Sequence, residues 1–297
     1  MPPAIKKLLG TGVALVTPFH SNGSIDFDAL SRLVEHIIRG RCDYLVPLGT
    51  TGESVTLSDD EKQSVLDCVL DTNRGRLPVV LGLGGNNTAS VTRHLERLGS
   101  VKGLTAVLSV SPYYSKPSQK GLVAHYKALS KASPLPILLY NVPGRTGGNM
   151  NVDTTLELAN SCENIVGIKE ASGNMDQILR ILAFRPNGFM VISGDDALTL
   201  PLMACGSEGV ISVIANAFPK ETSNMVSASL KNKILEARKW HNQLLPLVPM
   251  LFEEGSPSGI KCALEALGIT GSTTRLPIVQ VSAPLRKRIL SFCLRTA

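Results

Sequence analysis

The chain has 297 residues, of which 43% are hydrophobic and 18% are charged. This apolar content is enough for one large core or two modest ones, and it excludes an intrinsically disordered protein. The formal charge is +6, but the basic residues are scattered and only 4% of the residues are aromatic. The clustered basic and stacking side chains of a nucleic-acid-binding protein are missing, so we expect no nucleic-acid partner.

Cysteines and apolar runs indicate the compartment in which the protein works. The six cysteines are spread along the chain without a CxxC pair or metal-ligand spacing, so we expect reduced, mostly buried thiols. The longest apolar candidate for a membrane helix, Leu244 to Phe252, is too short and contains two prolines. Residues 6–19 resemble a short signal peptide, but no small-residue cleavage site follows, and a first buried strand is the better interpretation. We therefore expect a cytoplasmic protein without a membrane partner.

Short apolar, β-branched runs alternate with longer segments of helical period as far as Val213. This alternation is typical of βα units around a parallel sheet. Eight such runs predict eight strands: Gly12 to Thr17, Tyr44 to Leu48, Pro78 to Leu83, Thr105 to Val110, Pro136 to Tyr140, Ile165 to Lys169, Phe189 to Ser193 and Gly209 to Val213.

The segments between these runs carry helix signals. Apolar residues from Leu30 to Ile38 recur at i, i+3, i+4, i+7 and i+8, which predicts a helix that Gly40 can terminate. Ser58 and Glu61 have the spacing of a capping box at the start of the next helix. Helical spacing of apolar residues also predicts helices near 91–98 and 175–182.

Eight strand-helix units favour a (β/α)8 TIM barrel, of the α/β class, over a doubly wound sheet of five or six strands. We predict that residues 1–223 form this barrel. Residues 224–297 have helical period near 234–245, 260–267 and 285–294, and no linker rich in glycine, serine or proline precedes them. We therefore expect a C-terminal helical extension that packs against the barrel.

The carboxyl ends of the strands are where such a barrel holds its active site. The sixth run ends in Lys169, and a partly desolvated lysine at the barrel mouth can attack a carbonyl and form a Schiff base. The alternatives are that Lys169 pairs with Glu170 or extends to water. Pairing with Glu170 is sterically poor, because neighbouring side chains on a strand point to opposite faces.

Three further strand ends carry polar residues. After the second run, residues 49–54 (GTTGES) offer backbone N–H groups and hydroxyls suited to a carboxylate, although an ordinary turn accounts for them equally well. The fifth run ends in Tyr140, whose phenol can move protons, and Arg145 in the next loop can bind a carboxylate through paired hydrogen bonds. Packing of the tyrosine and solvation of the arginine are the alternatives. Tyr113 and Tyr114, after the fourth run, add two hydroxyls or serve as interface packing.

Two other kinds of site are not supported. Residues 82–87 resemble a dinucleotide fingerprint but lack its final glycine and the acidic residue at the right distance. The five histidines show no ligand spacing, and metal ligands are not evident at the strand ends.

Five segments, in order and at barrel spacing, resemble the dihydrodipicolinate synthase family. They are GTTGES (49–54), YNVPGRT (140–146), IKEASGN (168–174), SGDD (193–196) and GVISV (209–213). This family belongs to the pyruvate-dependent lyases and aldolases, which include N-acetylneuraminate lyase. The resemblance extends over nearly the whole chain. It implies condensation of pyruvate with L-aspartate 4-semialdehyde to 4-hydroxy-tetrahydrodipicolinate, a step in lysine and diaminopimelate biosynthesis.

The resemblance assigns the chemistry to four residues. Lys169 would form the Schiff base with pyruvate, and Tyr140 would donate and accept protons as the imine and enamine form. Thr50 and Tyr114 would complete a proton relay with Tyr140, and Tyr114 would reach into a neighbouring subunit. The resemblance therefore also implies a homo-oligomer, a tetramer built as a dimer of tight dimers.

Substrate binding would fall to three further residues. Thr51 and the backbone of its turn would bind the pyruvate carboxylate, Ile211 would contact pyruvate, and Arg145 would hold the carboxylate of the semialdehyde. No metal or organic cofactor is implied, because the lysine itself supplies the electron sink. Arg145 favours the synthase over an aldolase of a sugar acid, whose polyhydroxylated substrate does not need this cation. A non-catalytic paralogue is a third alternative.

A regulatory pocket is a feature of many members of this family, which bind lysine at a subunit interface. Asn86 and Tyr113 match that pocket. Lys62 stands where lysine-sensitive members often have a histidine, and Ser90 stands where they have a glutamate. Because Lys62 repels a cation and Ser90 cannot pair with one, we expect weak or absent feedback inhibition.

Overall fold

The computed structural model describes residues 6–296. Eight parallel strands follow one another around a closed barrel, with β8 paired back to β1. The predicted (β/α)8 barrel is therefore confirmed. The strands are β1 (Gly10–Ala14), β2 (Tyr44–Val46), β3 (Val79–Gly82), β4 (Leu104–Val110), β5 (Ile137–Asn141), β6 (Ile165–Glu170), β7 (Met190–Ser193) and β8 (Gly209–Ser212).

Side-chain alternation along the strands produces two apolar layers. In β5, Leu138 and Tyr140 belong to the cluster that fills the barrel, whereas Ile137 and Leu139 belong to the larger cluster between strands and helices. Both faces of the strand are therefore buried, which explains its nearly continuous apolar sequence. The first predicted run extends to Thr17, but β1 ends at Ala14, three residues earlier.

Helices alternate with the strands, as the apolar spacing predicted. Those of the barrel are α1 (Phe27–Arg39), α2 (Asp59–Asn73), α3 (Thr88–Arg97), α4 (Gln119–Ala132), α5 (Pro143–Thr146), α6 (Val152–Ser161), α7 (Met175–Phe184), α8 (Thr199–Ala204) and α9 (Pro219–Leu230). They are followed by α10 (Ile234–Leu244), α11 (Ser258–Ala266) and α12 (Ala283–Thr296). The capping box of α2 is formed in both directions between Ser58 and Glu61.

Gly40 ends α1, but for a different reason from a left-handed cap. Its φ is −72°, and Arg41 is the residue that takes a left-handed φ of 62°. A Cβ on Gly40 would lie 2.4 Å from the Cβ of Pro219, the first residue of α9. Glycine is needed here because the end of α1 and the start of α9 approach closely.

The C-terminal helices share the main core of the barrel. Ile260, Leu264, Leu285 and Ile289 are fully or almost fully buried in the same cluster as the barrel helices. The division of the chain at residue 223 stays a prediction, and α9 crosses that position.

Thiols and helix length add two further facts. All six cysteines are free; Cys205 is exposed and Cys68 is half-buried, whereas the other four are buried. Within residues 6–296, none of the helices has both the length and the apolar character needed to cross a membrane.

Replacing Gly40 by alanine tests the close approach of α1 and α9. We expect Gly40→Ala to lower the free energy of unfolding by about 1–3 kcal/mol, because the new methyl group overlaps Pro219. Urea denaturation followed by circular dichroism measures the loss. Gly99→Ala is the matched control, since its Cβ would meet Pro134 at an ordinary 3.8 Å and should change stability by less than about 0.5 kcal/mol. Equal losses in the two variants would contradict the packing argument.

Candidate active site

Lys169 and Tyr140 lie side by side at the carboxyl ends of β6 and β5. The two residues are register partners in the parallel pairing of these strands, so both side chains point into the barrel. Only 5% of Lys169 and 7% of Tyr140 is exposed, and the Lys169 Nζ lies 4.4 Å from the centroid of the Tyr140 ring. The structure therefore holds an amine beside a phenol in a largely dehydrated position.

The side chain that follows Lys169 faces the other way. Glu170 is buried outside the barrel, where it accepts hydrogen bonds from Asn141 and Gln177. The alternative in which Lys169 pairs with Glu170 is therefore not what the structure shows. Lys169 faces the barrel interior without that partner.

The SGDD segment shapes the wall next to Lys169. A Cβ on Gly194 would lie 3.0 Å from the Cε of Lys169 and 2.6 Å from the Cβ of Ala171, so a glycine leaves room for the lysine. Asp196 is buried and accepts hydrogen bonds from the backbone N–H groups of Val213 and Ile214, each at 3.0 Å. Burial raises the pKa of Asp196, which these hydrogen bonds partly offset. Asp196 thereby connects the end of β7 to the end of β8.

The end of β8 carries Ile211, one of the expected pyruvate contacts. Its side chain is 1% exposed and lies in the cluster that fills the barrel, together with Tyr140. Ile211 is the register partner of Gly12 in β1. It thus lies inside the barrel on the strand that closes the sheet.

The GTTGES segment forms two short 3-10 turns after β2. Thr51 is buried at 6% exposure, whereas Thr50 is exposed. The Thr17 hydroxyl, just beyond β1, donates a 2.7 Å hydrogen bond to the Gly52 carbonyl and holds the turn. Glu53 then takes a left-handed backbone conformation with a φ of 53°, a strained choice for a residue with a side chain.

Glu53 forms a buried ion pair that sequence reasoning missed. Its Oε1 lies 2.5 Å from the Nζ of Lys261 on α11, and neither side chain is exposed. Arg275 donates its backbone N–H to the other Glu53 oxygen at 3.0 Å. Burial lowers the pKa of Lys261 to about 8, although Glu53 acts in the opposite direction. The one available signal was a lysine inside an otherwise apolar helical run, from Ile260 to Leu264.

Arg145 lies on the short helix that follows β5. Pro143 begins this helix and Gly147, with a φ of 74°, ends it. The Arg145 side chain is exposed, on the loop that leaves the barrel beside Tyr140. Tyr114 is joined to the same loop, because its backbone N–H donates to the Thr146 carbonyl at 3.3 Å.

Tyr114 is the most exposed of the expected catalytic residues. Its side chain is 89% exposed and its backbone is left-handed, with a φ of 69°. The structure brings Tyr140 and Lys169 together, whereas Tyr114 presents its phenol on the surface of this chain.

The residues of the expected regulatory pocket lie on three segments, which follow β2, β3 and β4. The Asn86 side-chain amide donates to the Tyr113 carbonyl at 3.4 Å, so these two residues are in contact. Ser90 lies in the first turn of α3, and its backbone N–H donates to Asn87. Lys62, on α2, forms an ion pair with Asp59 at 2.9 Å.

Among residues 6–296, no three His, Cys, Asp or Glu side chains group together as metal ligands would.

A buried lysine lies beside a tyrosine at the mouth of a (β/α)8 barrel, an arrangement that suits a lyase working through a Schiff base. Comparison with known proteins identifies the family. The profile of the Dihydrodipicolinate synthetase family matches residues 7–292. The chain belongs to this family, which confirms the resemblance seen in the five segments.

Individual relatives agree with this assignment. A 4-hydroxy-tetrahydrodipicolinate synthase of Flavobacterium psychrophilum is 49% identical over 285 residues, which cover 96% of this chain and 97% of the relative. A dihydrodipicolinate synthase of Acinetobacter baumannii, solved with pyruvate, superposes with a TM-score of 0.93 at 36% identity and covers 97% of this chain and 98% of its own. The enzyme of Cyanidioschyzon merolae, solved with lysine bound, has the same TM-score and identity and covers 98% of both chains.

Removing the charge of Lys261 tests the buried ion pair. We expect Lys261→Met to lower the free energy of unfolding by about 3–5 kcal/mol, because it leaves the Glu53 carboxylate buried without a cation. Adding Glu53→Gln should recover most of that loss. Both variants are compared by urea denaturation.

Lys127→Met is the control for this experiment. The ion pair of Lys127 with Glu157 has a similar N–O distance of 2.8 Å but is exposed to water, so its loss should cost less than about 1 kcal/mol. If Lys127→Met and Lys261→Met lower the free energy of unfolding equally, burial does not increase the contribution of the Glu53–Lys261 pair to stability.

Proposed function

We propose that this chain condenses pyruvate with L-aspartate 4-semialdehyde to 4-hydroxy-tetrahydrodipicolinate through a Schiff base on Lys169. The observation that carries this proposal is the buried Lys169 amine, 4.4 Å from the Tyr140 ring at the strand ends. Membership of the Dihydrodipicolinate synthetase family supplies the reaction and both substrates.

The proposed chemistry begins with the neutral amine of Lys169. It attacks the keto carbon of pyruvate, and loss of water from the adduct gives an imine. Tyr140 donates a proton to the departing oxygen and then accepts one from the methyl group as the enamine forms. The enamine carbon attacks the aldehyde carbon of the second substrate, and the aldehyde oxygen takes up a proton and remains as the 4-hydroxyl group. The amino group of that substrate then attacks the imine carbon, which closes the ring and releases Lys169.

Two sites are proposed for the two carboxylates. Thr51, with the backbone N–H groups of its turn, binds the carboxylate of pyruvate, and Ile211 packs against that substrate. Arg145 binds the carboxylate of the semialdehyde through paired hydrogen bonds, which its planar guanidinium favours. The exposure of Arg145 on the loop beside Tyr140 supports this role, since the second substrate arrives after the imine has formed.

Tyr114 and Thr50 are proposed to complete a proton relay with Tyr140. Tyr114 does so in a neighbouring subunit of a homotetramer. Its 89% exposure supports this role, because a phenol held out from the surface by a strained backbone is available to another chain. The free, mostly buried cysteines support a cytoplasmic location.

The alternatives are less well supported. An aldolase of a sugar acid would share the lysine and tyrosine, but Arg145 provides a cation that a polyhydroxylated substrate does not require. A non-catalytic paralogue would not need a lysine held almost dry beside a phenol. Neither alternative is favoured by the family match.

Kinetics of two variants test the assignment of roles. Lys169→Ala should reduce turnover of pyruvate with aspartate semialdehyde to background. Arg145→Ala should lower kcat/KM for the semialdehyde by roughly 10- to 100-fold, the value of hydrogen bonds to a charged group, and leave the KM for pyruvate near its original value. A coupled reductase assay measures both.

Arg180→Ala serves as the control, because this arginine is exposed in the middle of α7 and has no proposed role. Cleavage of N-acetylneuraminate together with no turnover of the semialdehyde would transfer the chain to the aldolase alternative.

We further propose that Asn86, Tyr113, Lys62 and Ser90 form a pocket that binds lysine weakly or not at all. The Lys62 side chain, although paired with Asp59, remains 38% exposed, and its ammonium would repel the ammonium groups of the ligand. Ser90 contributes no negative charge to offset it.

Titration with L-lysine tests this proposal. Millimolar L-lysine should leave the rate nearly unchanged, whereas the double variant Lys62→His with Ser90→Glu should become sensitive, because it removes one cation and adds one anion. Strong inhibition of the unaltered enzyme at sub-millimolar L-lysine would contradict the proposal.

A further inference from the structure

Asn141 and Glu170 immediately follow the two residues that face each other in the site. They form the next register pair of β5 and β6, after Tyr140 and Lys169. Their side chains point out of the barrel, and both residues are 0% exposed. Burying a carboxylate is costly unless hydrogen bonds compensate for it, so the position of Glu170 requires a reason.

Glu170 accepts each of its hydrogen bonds from an N–H group. Oε1 accepts from the Ser172 backbone at 2.9 Å and from the Asn141 amide at 3.1 Å. Oε2 accepts from the Asn141 amide at 3.2 Å and from the Gln177 amide at 3.1 Å. The network therefore has the composition that an ionised carboxylate, which only accepts, requires.

The two amides cannot be turned around without loss. The Asn141 Oδ1 already accepts from the Met150 backbone at 3.0 Å. The Gln177 Oε1 already accepts from the Asn149 amide at 2.7 Å. Their N–H groups consequently have to point at Glu170. A glutamine at position 170 would place its own N–H groups against them and leave buried donors unpaired.

The same network extends to the arginine loop. The Asn141 amide also donates to the Asn149 side chain at 2.8 Å, and the Gln177 amide donates to the Met150 carbonyl at 3.3 Å. Asn149 and Met150 end the loop that begins at β5 and carries Arg145. One buried carboxylate thus connects the ends of β5 and β6, the start of α7 and the end of this loop.

We propose that Glu170 is a positioning residue, whose buried carboxylate fixes Lys169 against Tyr140 and sets the loop that carries Arg145. This inference rests on the roles proposed above for Lys169 and Arg145. Glu170 touches neither substrate. It acts through the strand ends, where a displacement of about 1 Å can reduce a rate by roughly 100-fold.

The isosteric variant Glu170→Gln is the test. We expect kcat to fall by roughly 10- to 100-fold, with slower trapping of the pyruvate imine by cyanoborohydride. The KM for pyruvate should stay close to its original value, because Thr51 lies on the turn after β2 and outside the network. A role in stability alone would shift the melting temperature and leave both the trapping rate and kcat of the folded enzyme unchanged.

Glu208→Gln is the matched control at the opposite end of the barrel. Glu208 precedes β8 and accepts from the Val191 backbone at 2.9 Å and from Arg185 at 2.7 Å. The same chemical change there should reduce stability, yet leave kcat and imine trapping intact, because the N-terminal ends of the strands are remote from the site. A kcat for folded Glu170→Gln within the range of Glu208→Gln would overturn the proposal.

Asn149→Ala provides a second test that introduces no change in buried charge. It removes the side-chain hydrogen bonds that join the loop to Asn141 and Gln177 and leaves those of the Met150 backbone, so the KM for the semialdehyde should rise several-fold while imine trapping remains normal. An unchanged KM overturns the inference about the loop, whether or not Glu170→Gln folds. Failure of the unaltered enzyme to form a pyruvate imine would instead overturn the proposed function, so the two failures are distinguishable.

Discussion

The parallel pairing of β5 with β6 positions the two residues proposed to carry the chemistry. It sets Tyr140 opposite Lys169 and, one residue later, Asn141 opposite Glu170. Because side chains alternate between the faces of a strand, the first pair meets inside the barrel and the second pair outside it. A shift of β6 by one residue in this register would break both pairs and place the Glu170 carboxylate opposite Tyr140, where the Lys169 amine now lies. The β-irregularity between Ile137 and Leu138 occurs below these pairs, so the strand ends themselves are regularly paired.

The remaining parts of the site are held by buried polar contacts from outside the barrel. The turn that carries Thr51 is fixed by Thr17 on one side and by the Glu53 ion pair with Lys261 on the other. Asp196 connects the ends of β7 and β8, where Ile211 lies. Each contact orders a loop that carries a proposed substrate-binding residue, and such fixed geometry is what catalytic preorganisation requires. The C-terminal helices take part directly in this arrangement, because Lys261 belongs to them.

Much of this organisation could be predicted from the sequence. Alternating apolar runs and helical periods gave all eight strands to within a few residues, because buried parallel strands have a strong local signature. Alternation predicted that Lys169 and Glu170 point to opposite faces of β6, but not which of the two faces the barrel interior. The partner of Glu53 could not be predicted, because Lys261 is distant in sequence and reaches it only through tertiary packing. Gly40 shows the same limit: its position at a helix end was predictable, whereas its close contact with Pro219 depends on how two remote helices pack.

Finding the residue on which pyruvate forms its imine tests the proposed role of Lys169 directly. The enzyme would be incubated with pyruvate, reduced with borohydride, digested and mapped by mass spectrometry. We predict one pyruvate-derived adduct per chain, confined to the peptide that contains Lys169 and lost in Lys169→Ala. An adduct on a different lysine, such as the buried Lys261, or no adduct at all, would contradict the proposed Schiff base on Lys169.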